Sequence, residues 1–144
     1  MVFTANDVRD PHQRVVDNDG KVDAFLVNLG AKGTLVHNVS PNTGHWLAIR
    51  LTGTKSNRDG IGAVVQVTAG TQKQSQLVKT GSSYLSQSEL PLTFGLGAAK
   101  GPLEVRVTWP GGAVDVVQVP AANVQVTIRQ GAGAVESTPL PRGR

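Results

Sequence analysis

The chain has no cysteine in 144 residues. That absence excludes disulfide bridges, thiol nucleophiles and thiolate zinc sites. A chain of this length does not need a bridge, since folding buries roughly 68–70 % of the surface its extended form exposes. Aromatic residues make up only 4 %, too few for a base-stacking surface. No apolar run approaches the ~18 residues of a spanning helix, and residues 1–7 carry neither a basic start nor an apolar stretch, so neither a membrane span nor a leader is predicted. Helical periodicity is missing throughout. Residues are predicted to pair as strands or to turn.

Catalytic groups are equally sparse. The three histidines, His12, His37 and His45, stand in different segments, and no Gly-x-Ser-x-Gly elbow occurs. The ten acidic residues suggest no convincing carboxylate pair for glycoside hydrolysis. The chain therefore reads as a non-enzyme. Its fourteen basic residues leave a net charge of +4, but they fall singly along the chain, so a solvated surface is expected and no nucleic-acid partner.

What the chain does contain is alternation. Leu47, Ile49 and Leu51 alternate with Trp46, Ala48 and Arg50, and Leu103, Val105, Val107 and Trp109 alternate with polar neighbours. Further strands read at 63–68, 74–79, 92–97 and 114–119, and the last puts Val124, Val126 and Ile128 on one face. Short strands at even spacing predict an all-β protein, an antiparallel β-sandwich or flattened barrel. Between the first two strands lies Thr52 to Ala63, rich in Gly, Ser and Asn, which reads as a structured turn joining a strand to its partner. Asp59-Gly60 is its predicted site of positive φ.

Residues 1–14 are polar, broken by Pro11, and read as an extended arm, while Leu29 to Gly44 reads as a connector around Thr34-Leu35-Val36. Between them, Asp17, Asp19 and Asp23 flank Gly20, with Lys21 placed to offer its carbonyl. Alternate carboxylates and a turn glycine follow the logic of a calcium loop, so calcium is the expected cofactor; the other reading is a solvated Asx-rich turn. The strand that follows, Val22 to Asn28, is apolar on both faces through Val22, Phe25, Leu26 and Val27. It must pair with the sandwich or with a neighbour's open edge, which makes a homo-oligomer or polymer the expected partner state. The organisation expected is 1–38 as arm with loop and strand, 39–131 as sandwich, and 132–144 as extended tail.

Two resemblances follow. The stretch from Asp17 resembles the calcium loop of an FG-GAP repeat, Asp-x-Asp-x-Asp-Gly-x-x-Asp: Asp17, Asp19, Gly20 and Asp23 match, and Val15 replaces the first Asp. There is no second copy, so the half-blade has no propeller to join. Residues His45 to Ile128 resemble the ASPIC/UnbV domain through His45-Trp46-Leu47, Ser56 to Ala63, Gly81 with Tyr84 to Ser88, Leu92 with Phe94 to Gly97, and Val107-Thr108-Trp109-Pro110-Gly111. The resemblance implies an exported, extracellular β-rich module without an established catalytic role.

Two functions compete on this reading. The first is a structural subunit that self-assembles through its N-terminal strand, stiffened by calcium. The second is an adhesion or recognition module binding glycan or protein through Asn57, Arg58 and Asp59 with Tyr84 and Gln87, where the bland reading has the Asx side chains capping the turn.

Overall fold

The computed structural model describes residues 3–7, 21–41, 44–81, 84–133 and 135–138. Among them there is no helix, and hence none long and apolar enough to cross a membrane. The chain divides into two units near residue 43.

The first unit is a three-stranded antiparallel sheet of β1 (Phe3–Asp7), β2 (Ala24–Leu26) and β3 (Thr34–Asn38), in the order β1-β3-β2. β2 and β3 form a hairpin whose loop is held by Asn28: its Nδ2 donates to Lys32 O at 2.8 Å and to Thr34 Oγ1 at 2.9 Å. Phe25 lies over Gly33, where a Cβ would sit 2.5 Å from its ring. Two expectations are corrected here. The presumed connector supplies β3, the central strand, and the presumed arm supplies β1, paired from Phe3↔Asn38 to Asp7↔Thr34. Alternation failed to reveal them because only Leu35 among the interior side chains of β3 is a buried aliphatic. The apolar segment at Val22–Asn28 accordingly pairs with β3, not with the sandwich.

The second unit is a β-sandwich. One sheet has the order β11-β10-β4-β7, the other β6-β5-β8-β9. The strands are β4 (His45–Thr52), β5 (Val64–Ala69), β6 (Gln72–Leu77), β7 (Leu92–Gly97), β8 (Leu103–Thr108), β9 (Val114–Val119), β10 (Val124–Arg129) and β11 (Val135–Thr138). The alternating positions do what their period requires. Leu47, Ile49, Leu51, Phe94, Leu96, Val126 and Ile128 from the first sheet meet Val65, Val67, Leu103, Val105, Val107, Val117 and Val119 from the second in one core.

Pairing is antiparallel except between β4 and β10, which run parallel from Leu47↔Val124 to Thr52↔Arg129. A parallel neighbour needs a long crossover, and the intervening strands provide it. β11 adds an edge strand from residues read as tail. At the opposite edge the sheets are tied together: Gln74 Nε2 donates to Gly95 O at 2.6 Å and Gln76 Nε2 to Thr93 O at 2.9 Å.

The Thr52–Ala63 segment is corrected as well. β4 and β5 lie in different sheets, so it is a crossover between layers and no hairpin turn. Twelve residues exceed what a hairpin uses. Gly60 has φ +67 as predicted, and a Cβ there would sit 2.8 Å from Leu51 Cβ in the core. Gly60→Ala therefore combines left-handed strain with a core clash. A loss of about 1–3 kcal/mol in unfolding free energy is expected, read by urea denaturation, against little change for Gly81→Ala, where φ is not positive and a Cβ meets open space.

Candidate functional site

The crossover loop is built around a residue outside it. Gln130 follows β10 with the parity of Val126 and Ile128, so its side chain turns inward and is 8 % exposed. Its Oε1 accepts three backbone N–H groups, from Thr54 at 3.1 Å, Lys55 at 2.9 Å and Ser56 at 2.8 Å. Its Nε2 donates to Ser56 Oγ at 3.1 Å, and its main chain bonds Thr52 O and Thr54 Oγ1. A side-chain amide has two acceptor lone pairs and two donor hydrogens. Here the acceptor is fully used, and the loop is fixed to β10.

Asn57 closes the loop on itself. Its Nδ2 donates to Ile61 O at 2.7 Å and its Oδ1 accepts Ile61 N at 2.8 Å, while Gly60 N reaches Asn57 O and Gly53 N reaches Arg58 O. Ser56 Oγ also donates to Pro110 O at 3.2 Å, which joins the loop to the turn after Trp109. That indole, buried at 2 % exposure, donates from Nε1 to Asp115 Oδ2 at 2.7 Å, and Gly131 N donates to the same oxygen at 2.9 Å. Asp115, Gln130 and Asn57 thus lace three turns into one rigid end of the sandwich.

Of the residues read as a binding surface, this places Asn57 in a structural role and leaves Arg58 and Asp59 outward. Their side chains are exposed and make no hydrogen bond or ion pair among the described residues. Tyr84 and Gln87 lie in a segment that departs from the same end, since Val78 N and O pair with Ala63 O and Gly62 N. Both are exposed, and Leu85 between them has φ +49. No hydrogen bond joins Tyr84 or Gln87 to Asn57, Arg58 or Asp59 among the described residues, so hydrogen bonding does not tie the two stretches together.

At the other end of β4, Asn123 adopts φ +61 and accepts Trp46 N on Oδ1 at 3.2 Å, with Nδ2 2.9 Å from His45 Nδ1. His45 is thereby a strand-start contact with no nucleophile beside it. The described residues hold no cluster of three or more His, Asp or Glu side chains able to bind a metal.

The calcium-loop residues divide. Asp17 and Asp19 lie outside the described residues. Lys21 Nζ donates to Asn38 O at 3.3 Å. Asp23, its side chain 7 % exposed, accepts Asn38 N on Oδ1 at 2.9 Å and stands 3.1 Å from His37 Nδ1. One carboxylate oxygen of Asp23 is therefore committed to the hairpin.

Gln130, Asp115 and Asn123 were not picked out from sequence. For two of them a signal existed: Asp115 and Gln130 are polar residues at inward parity, on the face of Val117 and Val119 and of Val126 and Ile128 respectively. A polar group on an apolar face demands partners. Asn123 shows only as a residue tolerant of positive φ.

The family model for ASPIC and UnbV matches residues 53–135, more than half of the chain, from the start of the crossover loop to the start of β11. The match leaves the Asp17–Asn28 stretch outside it. No curated protein matches the chain.

Removing the Gln130 amide strands three backbone donors. Gln130→Ala is expected to lower unfolding free energy by about 1–3 kcal/mol and to raise amide exchange at residues 54–56. Arg58→Ala, at an exposed side chain without a hydrogen bond or ion pair among the described residues, should stay within about 0.5 kcal/mol. Equal losses for the two variants would show that the amide does not organise the loop.

Proposed function

Since the chain belongs to the ASPIC and UnbV family, we propose that it serves as a non-catalytic extracellular β-module that associates with copies of itself through its N-terminal strands. One observation carries this reading. Among the described strands β2 pairs with β3 alone, at the edge of the sheet, and the segment around it exposes Val22, Phe25, Leu26, Val27 and Leu29, the last two at 85 % and 104 %. A free apolar edge is a template for another strand, and contiguous exposed aliphatics mark contact surfaces. Aliphatics exposed on other described strands, Val64, Leu77, Val114 and Val116, reach at most 50 %, well below Val27 and Leu29.

Calcium belongs to this proposal as a stiffener of the loop before β2, held by Asp17, Asp19 and Asp23 with the Lys21 carbonyl, after the manner of an FG-GAP loop. In its favour, Asp23 Oδ2 makes no hydrogen bond among the described residues. Titration calorimetry of the chelator-treated protein should register calcium binding that Asp23→Asn weakens; absence of heat removes calcium from the account.

A second reading has its own observation. Arg58 and Asp59 sit with unengaged side chains on a rigid loop, which suits recognition of a glycan or protein. Glycan-array binding abolished by Arg58→Ala and Tyr84→Ala favours it, and binding that survives both dismisses this surface.

For self-association, Val27→Lys with Leu29→Lys is the cleanest change, because both side chains already face solvent and the monomer loses no packing. Light scattering should give a mass above one chain for the wild type and a single-chain mass for the double variant. A wild type that stays monomeric at high concentration contradicts the proposal.

A further inference from the structure

Among the described strands, β9 and β11 end their sheets on the same side of the sandwich and border a cleft of about 620 Å³ whose walls include Val116, Val117, Val119, Val124 and Val126. This side lacks the glutamine ties that link β6 to β7. Its chemistry is that of a missing strand. Trp109 N donates to Ala113 O at the head of the β8–β9 ladder, and the register continues as Val107↔Asp115, Val105↔Val117 and Leu103↔Val119. In an antiparallel ladder alternate residues share one bonding class. Asp115, Val117 and Val119 therefore direct their N–H and C=O groups at β8, and Val114, Val116 and Gln118 direct theirs to the open edge.

A strand added there would find aliphatic neighbours on both of its faces. On the outer face stand Val114 and Val116, both about half exposed, and on the inner face stand Val117, Val119 and Val126. An ordinary sandwich strand, polar on alternate residues, would fill the cleft with its apolar face but set polar side chains beside Val114 and Val116. The described residues contain one exposed stretch that fits, Val22 to Val27 around β2, with Phe25 and Val27 at one parity, Ala24 and Leu26 at the other, and its outer edge unpaired.

We infer that the free edge of β9, together with the cleft beside it, is the acceptor for the β2 edge of a second copy of this chain. The inference rests on the self-association proposed above and names its complementary surface. Donor and acceptor are different surfaces, so the contact is head-to-tail: each contact leaves one donor and one acceptor unfilled, and chains grow unless the rotation closes a ring. Main-chain hydrogen bonds supply the pairing and the two aliphatic faces supply selectivity, the mode known for strand addition.

Because the chain has no cysteine, single substitutions give an unambiguous crosslinking test. Val27→Cys and Gln118→Cys proteins, both changed at exposed positions, are mixed and treated with a short bismaleimide. Mass spectrometry should find the 27–118 link between chains, several-fold above the 27–73 link formed when Lys73→Cys, on the far edge strand β6, replaces Gln118→Cys. Predominant 27–27 links mean that two β2 edges pair with each other, which overturns the acceptor assignment and leaves self-association standing. Equal yields at 118 and 73 from an assembling protein likewise overturn it. A monodisperse single chain without crosslinks overturns both.

Discussion

The second unit depends on one buried amide. Gln130 brings Oε1 to three successive backbone N–H groups of the crossover loop. A loop that leaves one sheet and enters the other carries its polar backbone past the core, where unpaired groups are costly. The amide meets that cost, and Asp115 does the same on the neighbouring turn by serving both the Trp109 indole and Gly131 N. The glycines of the loop follow from the closeness this requires: Gly53 and Gly60 sit where a Cβ would strike Asn57 O and Leu51.

This changes what the crossover loop means for function. Its Gly, Ser and Asn content looks like a surface made for a ligand, yet most of its polar groups are turned inward upon each other. Only the charged side chains of Lys55, Arg58 and Asp59 are left for the outside. A rigid end with three unengaged charges can present a contact, but among the described residues no hydrogen bond there joins a nucleophile to a base. Among the described residues, exposed apolar side chains gather most at the N-terminal hairpin, beside the β2 edge that no described strand covers.

The legibility of the chain follows burial. Where one face packs on a core, as at Leu47, Ile49 and Leu51 or at Leu103, Val105 and Val107, period-two alternation identified the strand and its inward residues. Where few aliphatics are buried, as in β3 with Leu35 alone, side-chain pattern carried little, and β1 and β3 were read as arm and connector. Sheet membership was also hidden: alternation in β4 and β5 is the same whether they pair with each other or face each other across the core. Within the candidate site, Arg58 and Asp59 were legible as exposed polar residues. The roles of Asn57 and Gln130 depend on contacts four and some seventy-five residues away in sequence, and only the inward parity of Gln130 hinted at its part.

The account joins an apolar donor edge at β2 to an acceptor edge at β9, so assembly should protect both from solvent. Amide hydrogen exchange followed across a dilution series measures this in the unmodified chain. The expected result is protection at residues 22–29 and at Val114, Val116 and Gln118 that rises with concentration, while residues 54–56 stay unchanged. Exchange independent of concentration at both edges would contradict the account.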